Sequence, residues 1–164
     1  MAVGGYGRQE LHPHSDIDIM ALLDAPLVGD SELSQSLACF FNSLWDIGLK
    51  PAQSVRTIEE CIEHAGMDQT VITSLIESRL IYGSGALYTH LNSRLAPEYL
   101  WPSALFFEAK MQEQKMRYAK YHDTAYNLEP NVKEGPGGLR DIQLIGWIIK
   151  RHYHTGNFLD VLLH

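Results

Sequence analysis

The chain has 164 residues, 45% of them hydrophobic and 20% charged, with a formal net charge of −7. That length supports one good core and a smaller lobe, and the acidic balance argues against a nucleic-acid partner, which needs a basic face. No apolar run reaches the ~20 residues of a membrane span, and no basic stretch followed by an apolar one marks a secretory signal, so no membrane is expected as partner.

In chain order, Met1-Ala2-Val3 leads almost directly into Gly4, and Asn157–His164 reads as a helix cut short; together the ends predict a fragment of a longer protein. Gly4-Gly5-Tyr6-Gly7-Arg8 reads as a tight turn opening a short helix around Tyr6–Leu11. A His12-Pro13-His14 loop follows, then a buried strand from Asp16 to Leu23. Strand side chains alternate, which predicts Asp16 and Asp18 on one face with Ile17 and Ile19 turned into the core. Asp30 or Ser31 caps a helix bearing Leu33, Leu37, Phe40, Phe41 and Leu44, and Gly48 suits its end. Residues 49–56 read as extended, with Pro51 placing them near an edge. Thr57 and Glu60 make a capping box for a helix through His64, stopped at Gly66. Asp68 caps another helix from Gln69 to about Ser74, and Arg79-Leu80-Ile81-Tyr82 reads as a strand closed by Gly83.

After Ser84 helices predominate. One runs to about Leu95. A long one over Ser103–Tyr121 has two apolar stripes, Ala104, Phe107, Met111 and Tyr118 on one and Leu105, Ala109 and Met116 on the other. Lys110, Glu113 and Arg117 fall between the stripes and read as solvated surface. Residues 127–138 form a loop, and Gly138 opens a helix carrying Ile142, Ile145, Ile149 and His152, ended by Gly156. Cys39 and Cys61 lack Cys-x-x-Cys spacing and read as buried thiols of a reduced, cytoplasmic protein.

Two carboxylates side by side on one strand repel each other unless a cation sits between them. Hard oxygen ligands combined with substrate phosphates suit Mg²⁺. Glycines let the backbone approach phosphate oxygens and offer N–H donors. Residues 4–18 therefore read as a holder for a metal-bound nucleoside triphosphate, with Asp16 and Asp18 as metal ligands and Gly4 and Gly5 against the phosphates. The plainer reading is an ordinary turn before a solvent-facing strand with two incidental acids. Ser15 either donates to a phosphate or closes the loop, and Arg8 either contacts the triphosphate or is an exposed helix arginine. In the later loop, Lys133 and Arg140 face phosphates while Asn127, Glu129 and Asp141 read ribose or base; otherwise Arg140 and Asp141 cap the last helix. The eight histidines show no metal-binding spacing. His122-Asp123 is an isolated helix-end pair, and Trp45, Trp101, Trp147, Tyr118, Tyr121 and Tyr126 read as core.

The glycine pair, short helix and Asp-x-Asp resemble the nucleotidyltransferase signature of the DNA polymerase β superfamily. The fuller string GGYGRQELHPHSDIDIMALL is similar to the N-terminal catalytic domain of the bifunctional uridylyltransferase/uridylyl-removing enzymes that modify the PII nitrogen-signalling protein. Ser54-Val55-Arg56-Thr57, Ile76-Glu77-Ser78-Arg79 and the run from Asn127 through Gly135-Pro136-Gly137-Gly138-Leu139-Arg140-Asp141 occur in the order that family shows. The resemblance implies an α+β fold: a polymerase-β-type mixed sheet with flanking helices over 1–84, then a mostly helical lobe over 85–164 with a nucleotide-facing loop at 127–141. It also implies that the family's hydrolytic HD and ligand-sensing ACT domains lie outside this stretch. The implied activity moves UMP from UTP to a tyrosine hydroxyl of PII with Mg²⁺ as cofactor. The superfamily's third carboxylate is missing from Leu49–Arg56, where Ala52-Gln53 replaces the family's usual Gly-His. Glu77 is the substitute, or it pairs with a cation as structure. Two other readings stay open: a catalytically silent nucleotide-binding regulatory domain, and a transferase using another nucleotide or acceptor.

Overall fold

A single helical turn, Gly4–Gly7 (α1), precedes the strand Ile17–Leu23 (β1). The computed structural model describes residues 1–24, 29–121 and 131–153. The helix begins on the glycines themselves rather than at Tyr6, because Gly4 takes φ +55° and Gly7 N–H already reaches the Val3 carbonyl at 3.0 Å. Ser31–Asp46 (α2) follows β1, with the Asp30 carboxylate accepting from the amides of Glu32 and Leu33. Pro51–Thr57 (β2) then pairs with β1 in parallel, Asp18 beside Ala52 and Met20 beside Ser54. Such a pair needs a crossover, which α2 supplies.

Thr57 and Glu60 form the expected reciprocal cap of Ile58–Met67 (α3), and Asp68 caps Gln69–Ile76 (α4) through the Thr70 amide at 2.6 Å. Gly85–Arg94 (α5) is capped by Ser84. Ala2 bridges antiparallel to both Ile19 and Arg79. The backbone order across this unit is thus β2, β1, Ala2, Arg79, a small parallel pair extended by antiparallel bridges. The strand expected over Arg79–Tyr82 shrinks to the single bridge at Arg79. Beyond it Ile81 and Tyr82 are exposed and the chain turns at Gly83, φ +114°.

The buried residue of β1 is Met20, on the Asp18 face, and its Sδ meets Cys61 Sγ of α3 at 3.8 Å. Ile17 and Ile19, expected in the core, are only half-buried. Ile19 and Leu23 border an apolar cleft of about 520 Å³ that Leu37 and Phe41 of α2 also line. Phe40, Trp45 and Cys39 of α2 are exposed, against the expectation of core aromatics and a buried thiol. Cys61 is buried as expected, and burial pushes its thiol up to about 11.

The described fold is mixed α+β and divides into two compact units, Met1–Leu95 and Ala96 onward. The division falls after α5 rather than at the composition change near Ser84, since Leu91 and Leu95 are buried and Tyr88 Oη donates to the Ser78 carbonyl at 2.7 Å. The second unit is helical: Ser103–Lys120 (α6) packs on Leu139–Tyr153 (α7). Its buried stripe is not either of those expected. Phe106 and Lys110 of α6 and Leu144, Trp147 and Arg151 of α7 are buried, with Lys110 over the Trp147 ring, while Leu105, Phe107, Met116, Ile142 and Ile145 are exposed. Lys110, expected in solvent, is 2% exposed: its stem adds apolar contact, its ammonium lies 4.7 Å from the Trp147 ring centroid, and Glu113 pairs with it at 2.8 Å. Arg117, also expected in solvent, is half-buried against Asp141. Among the described residues no helix is long and apolar enough to cross a membrane.

Candidate functional site

The glycine turn and Asp18 come together. Gly4 lies so close to Asp18 that a Cβ built on it would stand 2.8 Å from Asp18 Oδ2. The backbone there can reach the carboxylate only because residue 4 is glycine. The amides of Gly4, Gly5 and Tyr6 open α1 and have no acceptor among the described residues. Asp18 is half-buried, and Asp16, one place before β1 begins, is exposed with no partner among the described residues. Asp18 is the second residue of the strand and Asp16 the residue just before it. The Gly4 backbone pressed against the Asp18 carboxylate, beside amides with no acceptor among the described residues, is a donor set that suits Mg²⁺ held by one or two carboxylates plus phosphate oxygens. Among the described residues no three His, Cys, Asp or Glu side chains converge as a ready-made metal cage. Ala52 is the β2 residue beside Asp18, so the neighbouring strand supplies no third acid there.

The remaining candidates divide. Ser15 closes the turn: its Oγ accepts from the His12 amide at 3.2 Å, and its own amide donates to the His12 carbonyl. Arg8 is not an exposed helix arginine. Its Nη1 pairs with Glu77 Oε2 at 2.5 Å and its Nε with Glu10 Oε2 at 2.8 Å. Burial works against the charged guanidinium, but the bonds to Glu10 and Glu77 outweigh it and hold Arg8 above the usual arginine value. Glu77 is 4% exposed at the C-terminal end of α4, and its carboxylate bonds to Arg8.

In the second unit, the loop before α7 folds on itself. Asn131 Oδ1 accepts from the amides of Lys133 and Glu134, and Asn131 O from that of Gly135. Gly138, Leu139, Arg140 and Asp141 donate to carbonyls of Gly135, Val132, Lys133 and Gly138. The Gly137 amide goes to Asp141 Oδ2 at 2.7 Å. Every N–H from Lys133 to Asp141 is thereby used within the segment. Asp141 also accepts from Tyr118 Oη at 2.5 Å, from Gln114 Nε2 at 3.1 Å and from Arg117, so its groups face α6 rather than serving an open site. Arg140 pairs with Glu134 at 3.1 Å, bonds Gln143 and lies over Trp147. Lys133 is exposed, and its ammonium has no partner among the described residues. Asn127, Glu129, His122, Asp123 and Tyr126 lie outside the described residues, as does Gly156.

The Asp141 cluster carries a pH signature. Burial works to raise the Asp141 carboxyl, but the bonds from Tyr118, Gln114 and Gly137 and the charge of Arg117 outweigh it and hold the group below the ordinary aspartate value. A depressed folded value contributes stability above the unfolded value and loses it as pH falls through the folded one. Urea melts are expected to show stability dropping steadily below about pH 4, with Asp141→Asn flattening that acid limb. An unchanged limb in Asp141→Asn would show that other carboxylates set it.

No solved structure matches the chain. Residues 105–163 match the family described as GlnD PII-uridylyltransferase. The chain is 60% identical over 164 residues to the bifunctional uridylyltransferase/uridylyl-removing enzyme of Methylococcus capsulatus. Identity is 54% over 164 residues with that of Nitrosococcus oceani and 54% over 158 residues with that of Pseudomonas fluorescens. These alignments take in 100%, 100% and 96% of this chain and 18%, 18% and 17% of the relatives, so the chain spans less than a fifth of their length. The class they define is that of nucleotidyl-transferring enzymes. The chain is similar along its whole length to part of these bifunctional uridylyltransferase/uridylyl-removing enzymes, the family its motifs resemble.

Proposed function

We propose that this chain forms the nucleotide-holding part of a metal-dependent uridylyltransferase, which moves UMP from UTP to a tyrosine hydroxyl of the PII protein and releases pyrophosphate. The observation that carries the reading is the approach of the Gly4 backbone to the Asp18 carboxylate, at a turn whose first amides have no acceptor among the described residues. Asp16 and Asp18 would hold Mg²⁺, which when bound neutralises phosphate charge and stabilises the entering and leaving oxygens. The amides of Gly4, Gly5 and Tyr6 donate to phosphate oxygens. The acceptor oxygen forms a bond to the α-phosphorus while the bond to pyrophosphate breaks, and no covalent enzyme intermediate is needed. Lys133, exposed and without a partner among the described residues, is the side chain of the second glycine-rich segment that can meet an anionic group. The polymerase-β-type arrangement of the sheet belongs to the same proposal.

Ala52 beside Asp18 favours one other reading, a nucleotide binder that regulates without transfer. The deciding experiment is incubation with labelled UTP, Mg²⁺ and PII. Label on PII with release of pyrophosphate is the expected result. Tight UTP binding with no transfer to any acceptor would support the silent binder, and preference for ATP in competition would change the nucleotide.

A further inference from the structure

The 77–79 segment braces the back of the glycine turn in several independent ways. A Cβ on Gly7 would stand 2.1 Å from the Glu77 carbonyl oxygen, so the backbones are in direct contact. Ala2 and Arg79 exchange two amide bonds of 2.9 Å each. The Arg79 guanidinium donates to the Tyr6 carbonyl at 3.3 Å and lies 5.6 Å from that ring's centroid. Arg8 sits directly under the turn: its Nη2 is 3.7 Å from the place a Gly5 Cβ would take, and the buried Glu77 fixes it. A buried carboxylate is costly unless paired, so this ion pair holds one geometry rather than several. The turn is gripped between Glu77 behind and Asp18 in front.

We infer that Glu77 is a positioning residue that acts through Arg8 to aim the amides of Gly4, Gly5 and Tyr6, rather than a third ligand of the metal. The inference rests on the nucleotide reading above and assigns a different task to the one acidic residue that resembled the missing carboxylate. Arg8 then serves the triphosphate indirectly. Its charge is balanced by Glu10 and Glu77, and its planar fork, not its charge alone, sets the turn.

The test uses Glu77→Gln, which keeps shape and removes charge, and Arg8→Lys, which keeps charge and removes the fork. Mn²⁺ affinity without nucleotide is read by paramagnetic resonance, UTP affinity with Mn²⁺ by calorimetry, and folding by thermal melts. Both variants are expected to hold Mn²⁺ within about twofold of wild type and to lose UTP affinity about tenfold, in the range usual for supporting partners of a site. Loss of Mn²⁺ binding in Glu77→Gln comparable to that in Asp18→Asn would make Glu77 a metal ligand and overturn the inference. Wild-type UTP affinity in both variants would leave the pair a purely structural brace and overturn it equally. If Glu77→Gln does not fold, Arg8→Lys decides alone. Wild-type protein that takes up no UTP would remove the nucleotide reading and this inference with it, an outcome distinct from variants that match a UTP-binding wild type.

Discussion

Asp18→Asn is expected to fold normally and to lower UMP transfer about a thousandfold. Asparagine nearly preserves shape, and neutralising one of two neighbouring acids relieves their repulsion, so thermal melts should be unchanged or slightly higher. On the proposed reading, transfer should collapse because the charged ligand would keep the metal's charge stabilisation in place, and losses of that kind run to about 10²–10³ or more. UTP affinity should fall less than turnover, since the open amides of α1 remain. The structure orders the two acids: Asp18 is half-buried and touches Gly4, whereas Asp16 is exposed before the strand. Asp16→Asn should therefore cost less than Asp18→Asn. Rates, UTP affinities and melts on the two variants check this, and normal transfer in Asp18→Asn would end the metal-ligand argument.

Gly7→Ala is expected to be the most damaging single-methyl change in the turn. The added carbon would fall 2.1 Å from the Glu77 carbonyl oxygen and 3.3 Å from that of Ala2. Neither is a flexible side chain. The turn would have to leave the 77–79 segment, breaking the Ala2–Arg79 bridge and the Arg8–Glu77 pair together. Overpacking of this kind costs about 3 kcal/mol at the upper end of its usual range, or a melting shift of roughly 10 °C or more for a unit of this size. Gly5→Ala is the control: the nearest atoms to its Cβ are 3.7 Å away, an ordinary contact. Equal melting temperatures for the two variants would show that the turn is not pressed against Glu77 as the geometry requires.

The helices with local signals were legible in the sequence. Asp30, the Thr57–Glu60 box and Asp68 cap the helices they announce because the signal and its partner lie within three residues. The approach of Gly4 to Asp18 was legible from the spacing of the motif that holds both. What sequence could not give was the partner across the fold. Arg8 and Glu77 are 69 positions apart, and neither announces the other. Lys110 looked like surface because charge suggests water, yet a tryptophan and a glutamate at the right places make burial favourable. The stripe on α6 was misplaced by one position, since Phe106 turns inward while its neighbours Leu105 and Phe107 do not. With apolar residues at 104–107 in succession, periodicity alone does not choose among them.

The two glycine-rich segments of this chain differ in what remains on offer after folding. In the first, backbone donors are left over. In the second, from Lys133 to Asp141, they are consumed internally. A surface that recognises through its main chain is insensitive to which side chains it carries, but it tolerates almost no added bulk. A surface whose main chain is closed can change its preference by exchanging one exposed side chain without refolding. On the proposed reading, variation in binding preference among relatives should therefore accumulate around Lys133 rather than around Gly4, where the shape of the backbone would itself be the recognition element.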